Sequence, residues 1–308
     1  MLQSLLPGLR DGGEVIVVDT VGPGKTTATG LIGRMSRKAD RRSAGARIVE
    51  AVHQLRPDVV LLIKGRGVGA EAVAAARAAG AAVACYYPDN PWWTGQQEPD
   101  VLHRLQACDL AVTFSERQAE RLRSNGTRTA VLPFGYDPRW YPSREASPER
   151  RAIVFLGTWS RRRQRYLAAL ADLPVQLVVR GTGWDRQREV AAQPPVYEDA
   201  AGQLLSEALT GINLLHPQNA GAHNMRTREI TACGALQLTD QGTDGTPLRD
   251  GESCRWFADP EDLRRKVLEA FADPGHAATL AGRGQELTAA DTYHQRGVEL
   301  RRLIEDSL

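Results

Sequence analysis

Lysine is almost missing from this chain: four of its 39 basic residues are lysines, and the other 35 are arginines. Arginine's planar fork suits phosphates and carboxylates, although codon usage accounts for so broad a bias. Cysteine is scarce too, and Cys85, Cys108, Cys233 and Cys254 form no C-x-x-C pair. That excludes the common zinc ribbons and offers no disulfide framework. Cys233 and Cys254 taken with His216 and His223 match no structural zinc spacing, so no metal site is expected. Neither sign of charge dominates: the formal net charge is +2, which gives no reason to expect a nucleic-acid partner. No apolar run approaches the roughly 18 residues of a membrane span. The opening MLQSLLPGL has neither the basic start nor the length of a signal peptide. These absences predict a soluble, cytoplasmic protein with reduced thiols.

What is present is globular in character. Hydrophobic residues make up 42% and charged residues 25% of 308, enough for two domains with their own cores. Val15–Asp19 is a short apolar strand by composition, and Ala44–Leu55 has a helical apolar face. Buried strands are predicted at Pro57–Gly65, Ala81–Tyr87, Asp109–Ser115 and Thr129–Gly135, with helices at Ala70–Ala79, Asp100–Ala107 and Glu116–Ser124 between them. The charged, proline-containing stretch Asp137–Arg151 reads as a linker. Strands at Ala152–Gly157, Val175–Gly181 and Gly211–His216, then ALQLTD, alternate with helices after it. Continuous apolar strands in βα repeats mean an α/β protein with parallel sheets covered on both faces. The expected division is residues 1–140 and 141–288, two Rossmann-like domains facing a central cleft. Ligands bind such sheets at the carboxyl ends of their strands.

Three stretches carry nucleotide-like signals. GPGKTT at Gly22–Thr27 looks like a P-loop, but Lys25 and Thr26 put the motif's first glycine at Asp19. A carboxylate there repels the phosphates that the backbone nest must attract. Residues 20–43 are therefore read as a glycine-rich loop. GRGVGA, with Gly65, Gly67 and Ala70 after a strand and Asp89 after the next, matches a dinucleotide fingerprint. An NAD-dependent oxidoreductase stands as an alternative on that ground. The longest constellation is HPQNAGAHNMRTREITACGALQLTD, His216–Asp240. There a strand ends, a small-residue loop follows and a helix starts near Met225. Helix-start amides beside Arg226 and Arg228 make a natural diphosphate site. Glu229, one turn in, is placed to accept hydrogen bonds from a ribose diol, and Gly234 ends the helix.

NMRTREITACGALQLTD (Asn224–Asp240) resembles the donor-site signature of CgeB-like, spore maturation protein-like glycosyltransferases of the retaining GT-B superfamily. YYPDNPWW (Tyr86–Trp93), Cys108–Pro142, Val154–Leu170, Gly251–Val267 and TYHQR (Thr292–Arg296) follow that family in order. The resemblance is strong from about residue 80 onward and weak before it. It implies a GT-B fold whose last segment, 289–308, crosses back to the N-terminal domain. It also implies metal-independent, cofactor-free transfer from a nucleotide-diphosphate sugar, UDP- or dTDP-type, to a small-molecule or protein acceptor, with retention.

By that resemblance Glu229 binds the donor ribose. Gly157 and Arg163 match the glycine and the diphosphate-binding cation after the first strand of the second domain. Asn224, Met225 and Arg226 form the N-x-R stretch that holds phosphates and sugar, with His223 and Gly234 as further donor-side residues. The acid that many relatives carry eight positions before the glutamate is Gly221 here. That departure leaves open a non-catalytic nucleotide-sugar-binding partner protein. On the acceptor side stand Lys64, Asp89, Asn90 and Trp92, with Asp89 orienting or deprotonating the acceptor and a tryptophan stacking on a sugar. The same residues equally form an Asx-Pro turn with packed tryptophans. Asp89, Arg163 and Arg226 are the candidate catalytic groups.

Overall fold

The computed structural model describes residues 1–20, 44–93, 100–185, 189–219, 222–240 and 245–308. The GPGKTT stretch, nearly all of the 20–43 loop and Gly221 lie outside the described residues. The chain divides into two units, Met1–Pro133 with Arg296–Leu308, and Phe134–Gln295.

In the first unit α1 (Leu2–Arg10) and α2 (44–55) precede four parallel strands in the order β1-β2-β3-β4. These are β1 (Val59–Ile63), β2 (Ala82–Tyr86), β3 (Leu110–Thr113) and β4 (Thr129–Val131), joined by α3 (Ala70–Ala78), α4 (Val101–Ala107) and α5 (Glu116–Ser124). Leu61 lies opposite Ala84, and Tyr86 opposite Val112. Every residue of β3 is buried, which is why its sequence is an unbroken small and apolar run. Ile48, Val73, Val83, Leu105, Ala111 and Leu122 form the core. The strand expected at Val15–Asp19 does not form. Residues 14–20 have no regular structure, and Ile16, Val17 and Val18 are exposed. β-branched residues favour a strand only where a neighbour takes up the backbone hydrogen bonds.

The second unit holds β5 (Ala152–Leu156), α6 (Arg161–Ala168), β6 (Gln176–Arg180), β7 (Ala192–Gln193), α7 (Glu198–Glu207), β8 (Ala208–Asn213) and α8 (Met225–Ala232). β9 (Leu236–Asp240), β10 (Arg255–Phe257), α9 (Pro260–Ala272), α10 (Pro274–Thr288) and α11 (Tyr293–Glu305) complete the order. Six parallel strands run β10-β9-β8-β5-β6-β7. Ile153, Phe155, Leu167, Leu238, Leu263 and Val267 fill one face of this sheet, under α6 and α9. Val154, Leu156, Leu205 and Ile230 fill the other, under α7 and α8. Gly211 of β8 permits that second packing, since a Cβ there would come within 2.7 Å of the Ile230 side chain.

The chain leaves β5 toward β6 and β7, then returns to the opposite side of β5 as β8. The reversal opens a crevice between the carboxyl ends of β5 and β8, the usual ligand position in a doubly wound sheet. β8 stops at Asn213, earlier than the expected His216, because side chains claim the carbonyls of Leu214 and Leu215.

Candidate functional site

A pocket of about 120 Å³ occupies the β5/β8 crevice, with Leu156, Asn213, Arg163, Asn224, Met225 and Arg226 among its lining residues. Strand ends supply one wall, the start of α6 another and the N-terminus of α8 the third.

Arg163 reaches it from the first turn of α6. Ser160 caps that helix by accepting the Arg163 backbone N–H at 3.2 Å. The Arg163 guanidinium donates to the Thr158 carbonyl at 2.8 Å and the Leu214 carbonyl at 2.9 Å, tying the exit loops of β5 and β8 together. It also lies over the Phe155 ring. Burial lowers its pKa, and the cations Arg162 and Arg226 push the same way against Asp240. His216 is lowered too, by burial and then by Arg163. Arg163 thus stands at the crevice with carbonyl partners only, a cation that an anion there would stabilise. A Cβ on Gly157 would come within 2.9 Å of the Phe155 ring and 3.3 Å of Arg163, so glycine there leaves room for this arrangement.

At α8, Asn224 is the N-cap, its side chain accepting the Thr227 N–H at 3.3 Å. Its amide exchanges two hydrogen bonds with that of Asn213, at 3.1 and 3.2 Å. Asn224 thus fixes the direction in which the first α8 amides point. Met225 and Arg226 follow it at the pocket. Arg226 pairs with Glu229 at 2.6 Å, three residues on and on the same face of the helix. Burial raises the Glu229 pKa, opposed by Arg226 and by a hydrogen bond from Tyr141. For Arg226, burial lowers the pKa, but Glu229 and Tyr141 outweigh it and the net shift is upward.

Three expected donor-side residues lie elsewhere. His223 is fully buried, edge-on to the Phe134 ring at 5.8 Å, and is not among the pocket's lining residues. Gly234 sits beyond the far end of α8 with φ +68, and a Cβ there would come within 2.1 Å of the Arg144 carbonyl oxygen. Arg228 turns to the opposite side of the helix. Its buried guanidinium donates to Asp291 and to the Gly245 carbonyl, both at 2.8 Å.

In the first unit, Lys64 and Asp89 meet at 2.6 Å past the carboxyl ends of β1 and β2. Lys64 has φ +62, a left-handed conformation that strains a side-chain-bearing residue. Asn90 accepts the Trp92 N–H at 3.0 Å, forming an Asx turn. Trp92 packs on the core with the Arg121 guanidinium 4.1 Å from its ring centroid. The Gly65–Gly67 turn closes on Arg104, which is buried and donates to the carbonyls of Lys64 at 2.9 Å and Val68 at 3.1 Å. A dinucleotide needs amides directed at its pyrophosphate, whereas here the turn's carbonyls face a cation. Among the described residues, no three His, Cys, Asp or Glu side chains are grouped as a metal would need.

Sequence reasoning missed Asn213, Tyr141, Phe155 and Asp240. An Asn ending a buried strand shortly before an Asn-capped helix was the one readable signal for Asn213; the others meet the site only through tertiary folding.

Residues 161–302 match the family model described as glycosyl transferase-like. Solved structures agree on the fold. Sucrose-phosphate synthase from Thermosynechococcus elongatus aligns with TM-score 0.68 and 15% identity over 93% of this chain and 81% of its own. Anabaena HepE in complex with UDP-glucose aligns at 0.65 and 14%, covering 86% and 82%. The α,α-trehalose 6-phosphate synthase of Burkholderia multivorans aligns at 0.62 and 12%, covering 91% and 78%. No curated protein matches in sequence. The chain has the GT-B fold, and residues 161–302 carry its glycosyltransferase domain. It is an enzyme of the glycosyltransferase class.

Proposed function

We propose that this enzyme, a member of the CgeB-like branch, moves a sugar from a UDP- or dTDP-type nucleotide sugar to an acceptor nucleophile. Its main support is the β5/β8 crevice, where Arg163, Arg226 and the capped start of α8 converge beside Glu229. HepE, of the same fold, was crystallised with UDP-glucose. The donor's diphosphate takes the crevice beside Arg163, and Glu229 turns from Arg226 to the ribose hydroxyls. Arg226 is thereby released toward the phosphates.

As the glycosidic bond breaks, negative charge develops on the diphosphate. Two guanidiniums and the helix-start amides stabilise it, so transfer proceeds without a metal ion or a further cofactor. Asp89, held by Lys64, orients the acceptor hydroxyl. Retention of anomeric configuration, a small-molecule or protein acceptor and a cytoplasmic location complete the proposal.

A thermal-shift screen with UDP, dTDP, GDP, ADP and NAD tests it. Stabilisation by UDP or dTDP, lost in Glu229→Ala, is expected; stabilisation by NAD alone overturns the reading. Slow release of nucleoside diphosphate from the nucleotide sugar without acceptor is also expected, and no release from either UDP- or dTDP-sugars opposes the proposed donor.

A further inference from the structure

Two consecutive arginines on the first turn of α6 grip two consecutive peptides of the β8 exit loop. Arg163 donates to the Leu214 carbonyl at 2.9 Å and Arg162 to the Leu215 carbonyl at 3.3 Å. Asp240, the last residue of β9, closes the arrangement. One carboxylate oxygen accepts the Leu215 N–H at 2.9 Å, and the other pairs with the Arg162 guanidinium. Leu215 is therefore held at both its N–H and its carbonyl, by one ion pair. The Asp240 side chain is 13% exposed and Arg162 is 38% exposed, so solvent screens this pair only in part.

Arg162 and Arg163 carry like charge, and Arg162 is among the groups that lower the Arg163 pKa. Asp240 compensates that charge and anchors Arg162 against the adjacent strand. Arg163 is left with carbonyl partners, which cancel none of its formal charge. Asp240 does not line the pocket.

We propose that Asp240 is a positioning residue for the donor diphosphate: through Arg162 and the Leu215 peptide it sets where Arg163 stands at the crevice. The inference rests on the donor reading above. It also has an unusual sign. On charge alone, removing a carboxylate near a diphosphate site tightens anion binding; if Asp240 positions Arg163, removing it weakens that binding.

The test compares Asp240→Asn with the wild type. The probes are whichever of UDP, dTDP, GDP and ADP stabilises the wild type most, and that compound's parent nucleoside, both titrated by NMR. The expected result is a loss of about 10-fold for the diphosphate, the scale of one hydrogen bond to a charged group, with no change for the nucleoside. Equal losses for both probes mark a merely structural residue and overturn the proposal, as does unchanged or tighter diphosphate binding. Arg162→Lys, which keeps the positive charge at a partly exposed site but loses the fork spanning Asp240 and the Leu215 carbonyl, is the companion variant. It should show the same selective loss even if Asp240→Asn fails to fold, and unselective or absent loss overturns the proposal. A wild type that binds none of the four diphosphates defeats the donor reading itself.

Discussion

Glu229 and Arg226 are each other's partner in a nearly dry place, and this pairing dictates how each behaves when the other is removed. Truncating Glu229 to alanine leaves a largely buried guanidinium uncompensated, which costs about 2 kcal/mol or more of folding stability. Urea denaturation of Glu229→Ala against wild type measures that loss. His216 reports on the same field from outside the pair. Burial and the nearby Arg163 lower its pKa, so the unfolded chain binds that proton more tightly than the folded one. Its contribution to stability is therefore present above the ordinary imidazole value and is lost as pH falls through that range. An anion against Arg163 cancels part of the positive field, so the His216 midpoint should rise when UDP binds. NMR titration of the imidazole checks both the low starting value and the direction of movement. The thiols are a further residue-scale case. Burial pushes Cys233 up to about 11 and Cys254 up to about 12, leaving little thiolate at pH 8. All four cysteines are buried, so a thiol-specific disulfide reagent should label the native protein slowly and the urea-unfolded protein fully.

Helix α8 shows how an element's two ends serve different purposes. Asn224 caps the start, where the amides face the crevice, and Gly234 ends the helix against the Arg144 carbonyl. Gly234→Ala forces a positive φ on alanine and drives a Cβ into backbone, so it should destabilise by more than about 1 kcal/mol. Asn224→Ala should cost about 1 kcal/mol for the cap and also weaken nucleotide binding, whereas Gly234→Ala should leave binding intact in the folded fraction. Chemical denaturation with titration of the nucleotide separates the two. The end of α8 was legible in sequence because Gly after a helix has a local physical cause. Sequence reasoning placed its start near Met225 but singled out Asn224 as a donor contact, not as the cap. The side chains within it were only partly legible. Residues 226 and 229 share a face, but 228 lies about 200° around the helix from 226, and that rotation sends Arg228 to Asp291. Strands buried on both faces announced themselves as apolar runs. The two- and three-residue strands β7 and β10 did not, being edge strands shorter than any periodicity. Val15–Asp19 failed the other way, an apolar run with no neighbouring strand among the described residues. Tyr141 reaches Glu229 across 88 positions of sequence, which no local pattern encodes.

Across the whole chain, two sheets have unequal tasks. The first runs in one direction, β1 to β4, with no reversal among the described residues; the second reverses at β5 and opens its crevice there. Unit 1 takes up the chain's last thirteen residues, 296–308, as well as its start. Gly297 packs against the α1 backbone, and Leu300 and Ile304 are buried. A chain ending at Gln295 should lose hydrogen-exchange protection in α1 while β5 and β8 retain theirs. Nucleotide affinity tests the central claim, that the β5/β8 crevice holds a nucleoside diphosphate through Arg163. Calorimetric titration of UDP and dTDP into the wild type and into Arg163→Gln is the direct measurement. The expected result is binding by the wild type and a loss of about 10-fold or more in the variant, titrated well below its melting temperature. Undiminished affinity in Arg163→Gln, or no binding of either nucleotide by the wild type, would contradict it.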